Sequence, residues 1–109
     1  MKNLTEQEII KSVISGNHGD FALLIDMYKD RAFTLLKKML KNEMDAEEAL
    51  QDSFLKTFNS LKNFRADSKF STWLYRIAYN MAISKVRKKK LPISSIEDYK
   101  LADHEIKQV

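Results

Sequence analysis

Apolar residues recur at intervals of three and four along most of this chain, the period of helices that turn one face to a core. Four such runs are separated by short polar breaks. The first is predicted from Thr5, where "TEQE" places Glu8 three residues on as a capping box, to near Gly16, with Ile9, Ile10, Val13 and Ile14 inward. The second runs from about Asp20 to Lys41 and carries Phe21, Leu24, Ile25, Tyr28, Ala32, Leu35, Leu36 and Met39. Lys37, Lys38 and Lys41 suit the negative end of its dipole. The third starts at Asp45, where "DAEE" repeats the capping arrangement with Glu48, and runs to about Lys62 with Ala46, Leu50, Phe54, Phe58 and Leu61 inward. After the polar connection "NFRADSK", the fourth runs from about Ser71 to Lys90 and is stopped by Pro92.

With one proline and two glycines in 109 residues, the pattern predicts an all-α fold, a compact four-helix domain over residues 1–91. Residues 92–109 lose the period and read as a linker or tail. A chain of this length buries roughly two thirds of its unfolded surface, enough for a real core.

Composition removes several classes of function. There is no cysteine, hence no disulfide framework or thiolate chemistry. His18 and His104 lie far apart without metal-ligand spacing, and Gly16 and Gly19 are too few for a phosphate-cradling loop. No apolar run approaches the ~20 residues of a membrane span, and the N-terminus does not open a secretory signal. The expectation is a soluble cytoplasmic protein with no metal, no cofactor and no enzymatic activity.

Charge is more informative in its distribution than in its sum of +4. From Glu43 to Leu55 there are five acids and no bases; from Lys62 to Lys90 there are nine bases and one acid, Asp67. Such segregation suggests two faces for two partners, against the plainer reading that each run is a solvated helix face. In the fourth helix most of the circumference is apolar: Phe70, Leu74, Ile77, Ala78 and Met81, extended by Tyr75, Tyr79, Ala82, Ile83 and Val86. The remaining stripe holds Trp73, Arg76, Asn80, Ser84 and Arg87, followed by Lys88, Lys89 and Lys90. Rings to stack, cations for phosphate and an amide for base edges are the parts of a nucleic-acid surface. The competing reading makes Trp73 partly core and the cations a complement to the helix C-terminus. Phe64, in the connection, is either a plug into the core or a platform for a ligand.

On the third helix, Glu48, Gln51, Asp52, Leu55 and Asn59 lie opposite the apolar line, with Leu55 about 140° from Leu50. A leucine ringed by acids and amides reads as a docking patch with one apolar anchor and a polar rim, suited to a basic partner, or as a plain solvated face.

The stretch "DAEEALQDSFLKTFNSLKNFRADSKFSTWLYRIAYNMAISKVRKKK", Asp45 to Lys90, resembles the second conserved region of a bacterial sigma factor of the extracytoplasmic-function type, and "GDFALLIDMYKDRAFTLLKKML" resembles that family's first core helix. The similarity covers about Thr5 to Lys90 and rests on the combination of "DAEE…Q…F", "F…F.TWLY.IA.N" and the terminal basic run. It departs at Phe58, where members commonly carry tryptophan, and at Ala66, often glycine. The resemblance implies docking on the clamp helices of the largest RNA polymerase subunit through Asp45, Glu48, Gln51, Asp52 and Leu55. It implies recognition and melting of the promoter −10 element, mainly through the non-template strand. Trp73 would wedge the upstream edge of the bubble, and Phe64, Arg65 and Lys69 would line the loop around a flipped base. Asn80 would read a base edge or sugar, and Arg76, Arg87, Lys88, Lys89 and Lys90 would hold phosphates. A cognate anti-sigma factor is implied as a further partner.

Members of that family end in a helix-turn-helix domain for the −35 element, and nothing after Pro92 is expected to supply it. The chain reads as an excised domain or a single-domain form that binds polymerase, and promoter DNA weakly. A helical protein-interaction module and a sequence-independent single-strand binder are the competing functions.

Overall fold

The computed structural model describes residues 4–65 and 67–89, with Lys89 as backbone alone. The chain forms α1 (Glu6–Ile14), a 3-10 turn (His18–Asp20), α2 (Phe21–Leu40), α3 (Glu43–Ser60), a second 3-10 turn (Leu61–Asn63) and α4 (Phe70–Lys89). No strand occurs among the described residues. Ala66, Lys90, the stop at Pro92 and the tail that follows lie outside the described residues.

Thr5 caps α1 as its sequence predicts. Its hydroxyl accepts the Glu8 N–H (3.2 Å) and its own N–H donates to Glu8 Oε1 (3.1 Å). That backbone N–H, and then the hydroxyl, hold the Glu8 carboxyl below its ordinary range. Ile9, Ile10 and Val13 are buried, but Ile14, expected with them, is 49% exposed. It stands about 100° round from Val13, beyond the reach of the bundle on so short a helix. The chain leaves α1 through Gly16 at φ 119°, a conformation that L side chains rarely adopt. The Ser12 hydroxyl then donates to Asp20 Oδ2 (2.6 Å), and the Asn17 amide donates to Ser12 Oγ (3.1 Å), pinning the connection to α2.

α2 ends at Lys41, which takes the left-handed conformation (φ 56°) and returns its N–H to Lys37 O. The next residue caps α3: Asn42 Oδ1 accepts the Asp45 N–H at 2.9 Å. The helix therefore begins at Glu43, two residues before the expected start, and Asp45 lies in its first turn instead of capping it. The buried face of α3 also differs from expectation. Ala46, Ala49, Ser53, Phe54 and Thr57 are buried, whereas Leu50 and Phe58 are half-buried. Ser53 and Thr57 are tolerated inside because their hydroxyls donate to the carbonyls four residues back, Ala49 O (2.6 Å) and Ser53 O (2.7 Å).

α2, α3 and α4 pack against one another, and α1 lies against α2 and touches the second 3-10 turn. Leu24, Leu36, Met39 and Leu74 are fully enclosed, each burial stabilising the fold by about 1.5–3 kcal/mol. Phe70, Leu74, Tyr75, Ala78, Ala82 and Val86 anchor α4 in this core, with Ile77, Tyr79, Met81 and Ile83 half-buried around them. Only a narrow strip of α4 is left to solvent.

Candidate nucleic-acid interface

Two features build the surface at the start of α4. The second 3-10 turn ends at Phe64, whose N–H returns to Leu61 O (3.0 Å) and whose backbone is extended. Its ring meets Phe70 edge-on (5.6 Å, 87°) and lies tilted against Trp73 (5.1 Å, 39°). Phe70 is buried, while Phe64 and Trp73 are half-buried. Phe64 is thus packed against the core in part and accessible in part. Trp73 likewise packs against the core and stays partly accessible. The Ser68 N–H and hydroxyl both reach Arg65 O (3.3 Å), bending the connection, with Arg65 and Lys69 exposed on it.

From Trp73 the stripe continues along α4. Arg76, Asn80, Ser84, Arg87 and Lys88 are all exposed, so rings, guanidinium groups and an amide share one open line. The side chains of Lys89 and Lys90 lie outside what the structure describes. Beside the ring pair, the connection and α1 enclose a hollow of about 410 Å³ lined by Glu6, Gln7, Phe64, Asp67, Lys69 and Phe70, among others. The contribution of α1 to this lining was not legible in the sequence, because it depends on how α1 lies against the second 3-10 turn.

Lys85, one of the basic residues of this region, is not part of the open surface. It is 8% exposed and donates to Glu48 Oε1 of α3 at 2.5 Å, while Glu48 remains 54% exposed. Glu48 thus carries an internal cation on the face assigned to docking. Removing one member of a fully buried pair costs about 3–5 kcal/mol; exposure of Glu48 discounts this. Glu48→Ala is expected to destabilise the domain by about 1–2 kcal/mol in urea unfolding. Lys85→Met, which keeps the apolar stem, should stay within about 1 kcal/mol of wild type.

On α3, Gln51 and Asp52 are exposed, Asp45 is half-buried and Leu55 is 60% exposed. The structure adds Met44, 80% exposed in the first turn of α3. Met44 and Leu55 are eleven residues apart, hence within about 20° of the same face and about 16 Å apart along the axis. A cap at Asp45 would put Met44 outside the helix; the cap at Asn42 puts it in the first turn. Among the described residues no group of His, Cys, Asp and Glu is arranged to hold a metal ion, and no helix is long and apolar enough to cross a membrane.

Residues 24–91 match the family model for sigma-70 region 2. The chain is 43% identical over 81 residues to the ECF RNA polymerase sigma factor SigW of Bacillus subtilis, covering 74% of this chain and 43% of that protein. It is 33% identical to the RNA polymerase sigma-H factor of Pseudomonas aeruginosa, covering 95% and 57% respectively. The chain spans about half the length of these curated relatives. Its fold matches an NMR structure of an engineered region 2 of sigmaE in complex with GTAAAA, with a TM-score of 0.75, 32% identity, and coverage of 83% of this chain and 95% of that one. A helical bundle with this ring-and-cation strip, matched over most of its described length by a family model and by a solved region 2, belongs to the sigma-70 region 2 family, in its extracytoplasmic-function branch.

Proposed function

We propose that this domain is a transcription initiation module: α3 docks on the clamp helices of RNA polymerase, and α4 with its preceding connection recognises and melts the promoter −10 element. The observation that carries this reading is the open line Trp73–Arg76–Asn80–Arg87 beside a hollow lined by Phe64 and Lys69. The relative solved in complex with GTAAAA supports a nucleic-acid ligand for this surface. Trp73 replaces a lost base stack at the upstream edge of the bubble. Phe64, Arg65 and Lys69 surround a base of the non-template strand turned out of the stack. Asn80 reads a base edge or sugar, while Arg76, Arg87 and Lys88, followed in sequence by Lys89 and Lys90, hold phosphates. Asp45, Glu48, Gln51 and Asp52 form a polar rim around the apolar anchors Leu55 and Met44.

Melting by this surface needs no catalytic group. Unstacking a base step costs a few kcal/mol, and stacking on protein rings returns roughly 1–3 kcal/mol per base. Capture of exposed bases therefore tips a breathing equilibrium without nucleotide hydrolysis. The site of action is the cytoplasm, where polymerase and promoter meet, and an anti-sigma factor is the expected regulator.

The test is anisotropy of labelled single-stranded hexanucleotides carrying each base in turn at every position of GTAAAA, at fixed salt. Asn80→Ala is expected to flatten the preference at one or two positions by about 5- to 150-fold, the value of one good base contact, and to leave the others intact. Equal binding of all sequences with a steep salt slope would reduce the surface to a nonspecific phosphate binder and sink the proposal.

A further inference from the structure

We propose that the carboxylate of Glu6, held in place by the Tyr28 hydroxyl, reads the base that enters the hollow between α1 and the connection before α4, and selects against thymine there. This inference rests on the function proposed above and adds to it a specificity residue from α1, an element outside the segment assigned to DNA.

The hollow is lined by one accessible ring, Phe64, and by polar groups. Phe64, half-buried, offers a ring on which a base can stack, and Lys69 sits at the same opening for its phosphate. α1 contributes Glu6 and Gln7 to the lining. At about 410 Å³ the space falls within the range of small-ligand sites. A base stacked on Phe64 therefore brings its hydrogen-bonding edge among polar side chains of the lining, Glu6 included.

Glu6 is preorganised for this contact. Its Oε1 accepts the hydroxyl of Tyr28 from α2, and the Tyr28 ring is wedged against Phe70 (5.5 Å) and Tyr75 (6.2 Å). Burial, and then the hydrogen bond to Glu6, push the Tyr28 phenol well above its usual range, so it stays a neutral donor. Its hydroxyl holds one carboxylate oxygen, and Oε2 takes no hydrogen bond among the described residues. Fixing the carboxylate in advance removes the ordering cost that a free glutamate would add on binding.

An ionised carboxylate accepts hydrogen bonds and donates none. Cytosine, adenine and guanine each bring an amino group to it, whereas thymine brings carbonyl oxygens flanking a single N–H. A negative group beside a phosphate-binding surface weakens nonspecific attraction, so its placement at the mouth of a base-sized hollow fits discrimination better than affinity. The plain alternative is that the Glu6–Tyr28 bond only ties α1 to α2.

The experiment uses the 109-residue chain and the same hexanucleotide series, with wild type, Glu6→Gln and Tyr28→Phe, and thermal melts to confirm folding. Glu6→Gln keeps the shape and an acceptor for Tyr28 but removes the charge and adds a donor that thymine can use. Wild type should bind thymine about tenfold more weakly than the amino-bearing bases at one position. Glu6→Gln should bring that ratio to within about twofold there and leave the other positions unchanged. Tyr28→Phe, which frees the carboxylate, should relax the ratio part of the way. Unchanged discrimination in a folded, binding Glu6→Gln protein overturns the inference and leaves Glu6 as a tie between helices. A wild-type profile with preferences elsewhere but no thymine penalty also overturns it, while the proposed function stands. A wild-type profile with no preference anywhere overturns both.

Discussion

Trp73→Leu is expected to lower affinity for single-stranded −10 DNA by about 5- to 150-fold, the 1–3 kcal/mol of one ring-to-base stack, while the domain stays folded. Leucine keeps most of the apolar contact with the core but has no face on which a base can lie. Trp73 is half-buried and touches Phe64 and Phe70, so part of its area supports the fold. Its truncation to alanine would mix the two effects, because a deleted buried aromatic alone costs about 3–5 kcal/mol. With leucine the stability loss should stay near 1 kcal/mol, and Trp73→Phe should restore most of the DNA affinity. The decisive comparison is oligonucleotide anisotropy against urea unfolding for all three proteins. If leucine and phenylalanine bind DNA equally well, the ring is not a stacking platform and Trp73 belongs to the core alone.

Periodicity revealed the helices and most of the core, because Leu24, Leu36, Met39, Leu74 and Ala78 announce themselves by spacing and by type. It rotated the buried face of α3, because Ser53 and Thr57 are polar by composition and become core residues only once their hydroxyls find the carbonyl one turn back. It misplaced the start of α3 because "NEMD" and "DAEE" are overlapping cap signals, and the left-handed Lys41 settles the choice for Asn42. The exposed strip of α4 was legible for the same reason as the core: it is what remains when the apolar positions are removed. Contacts between distant segments were not. The Glu48–Lys85 pair spans 37 positions, and the closing of the hollow by Glu6 and Gln7 depends on how α1 lies across the bundle. No local pattern encodes either.

The early start of α3 bears on the docking face, since it brings Met44 into the helix that carries Leu55. With α3 beginning at Glu43, the two exposed apolar residues fall on one line, separated by three turns and rimmed by Glu48, Gln51 and Asp52. Hot spots of protein interfaces are apolar or aromatic anchors that lose water completely, and rim charges mainly steer encounter. Leu55→Asp is therefore expected to weaken binding to core RNA polymerase by about 30-fold or more, the ≥2 kcal/mol of a hot spot. Because Leu55 is 60% exposed, the melting free energy should change by no more than about 0.5 kcal/mol, and hexanucleotide binding should be unaffected. Met44→Asp should give a loss in the same direction. Asp52→Asn should instead slow association and reduce its salt dependence, with little effect on dissociation. Binding kinetics of the three variants on immobilised core enzyme distinguish the cases. A Leu55→Asp protein that docks normally, beside an Asp52→Asn protein that does not, would make the α3 face purely electrostatic and remove both anchors from the interface.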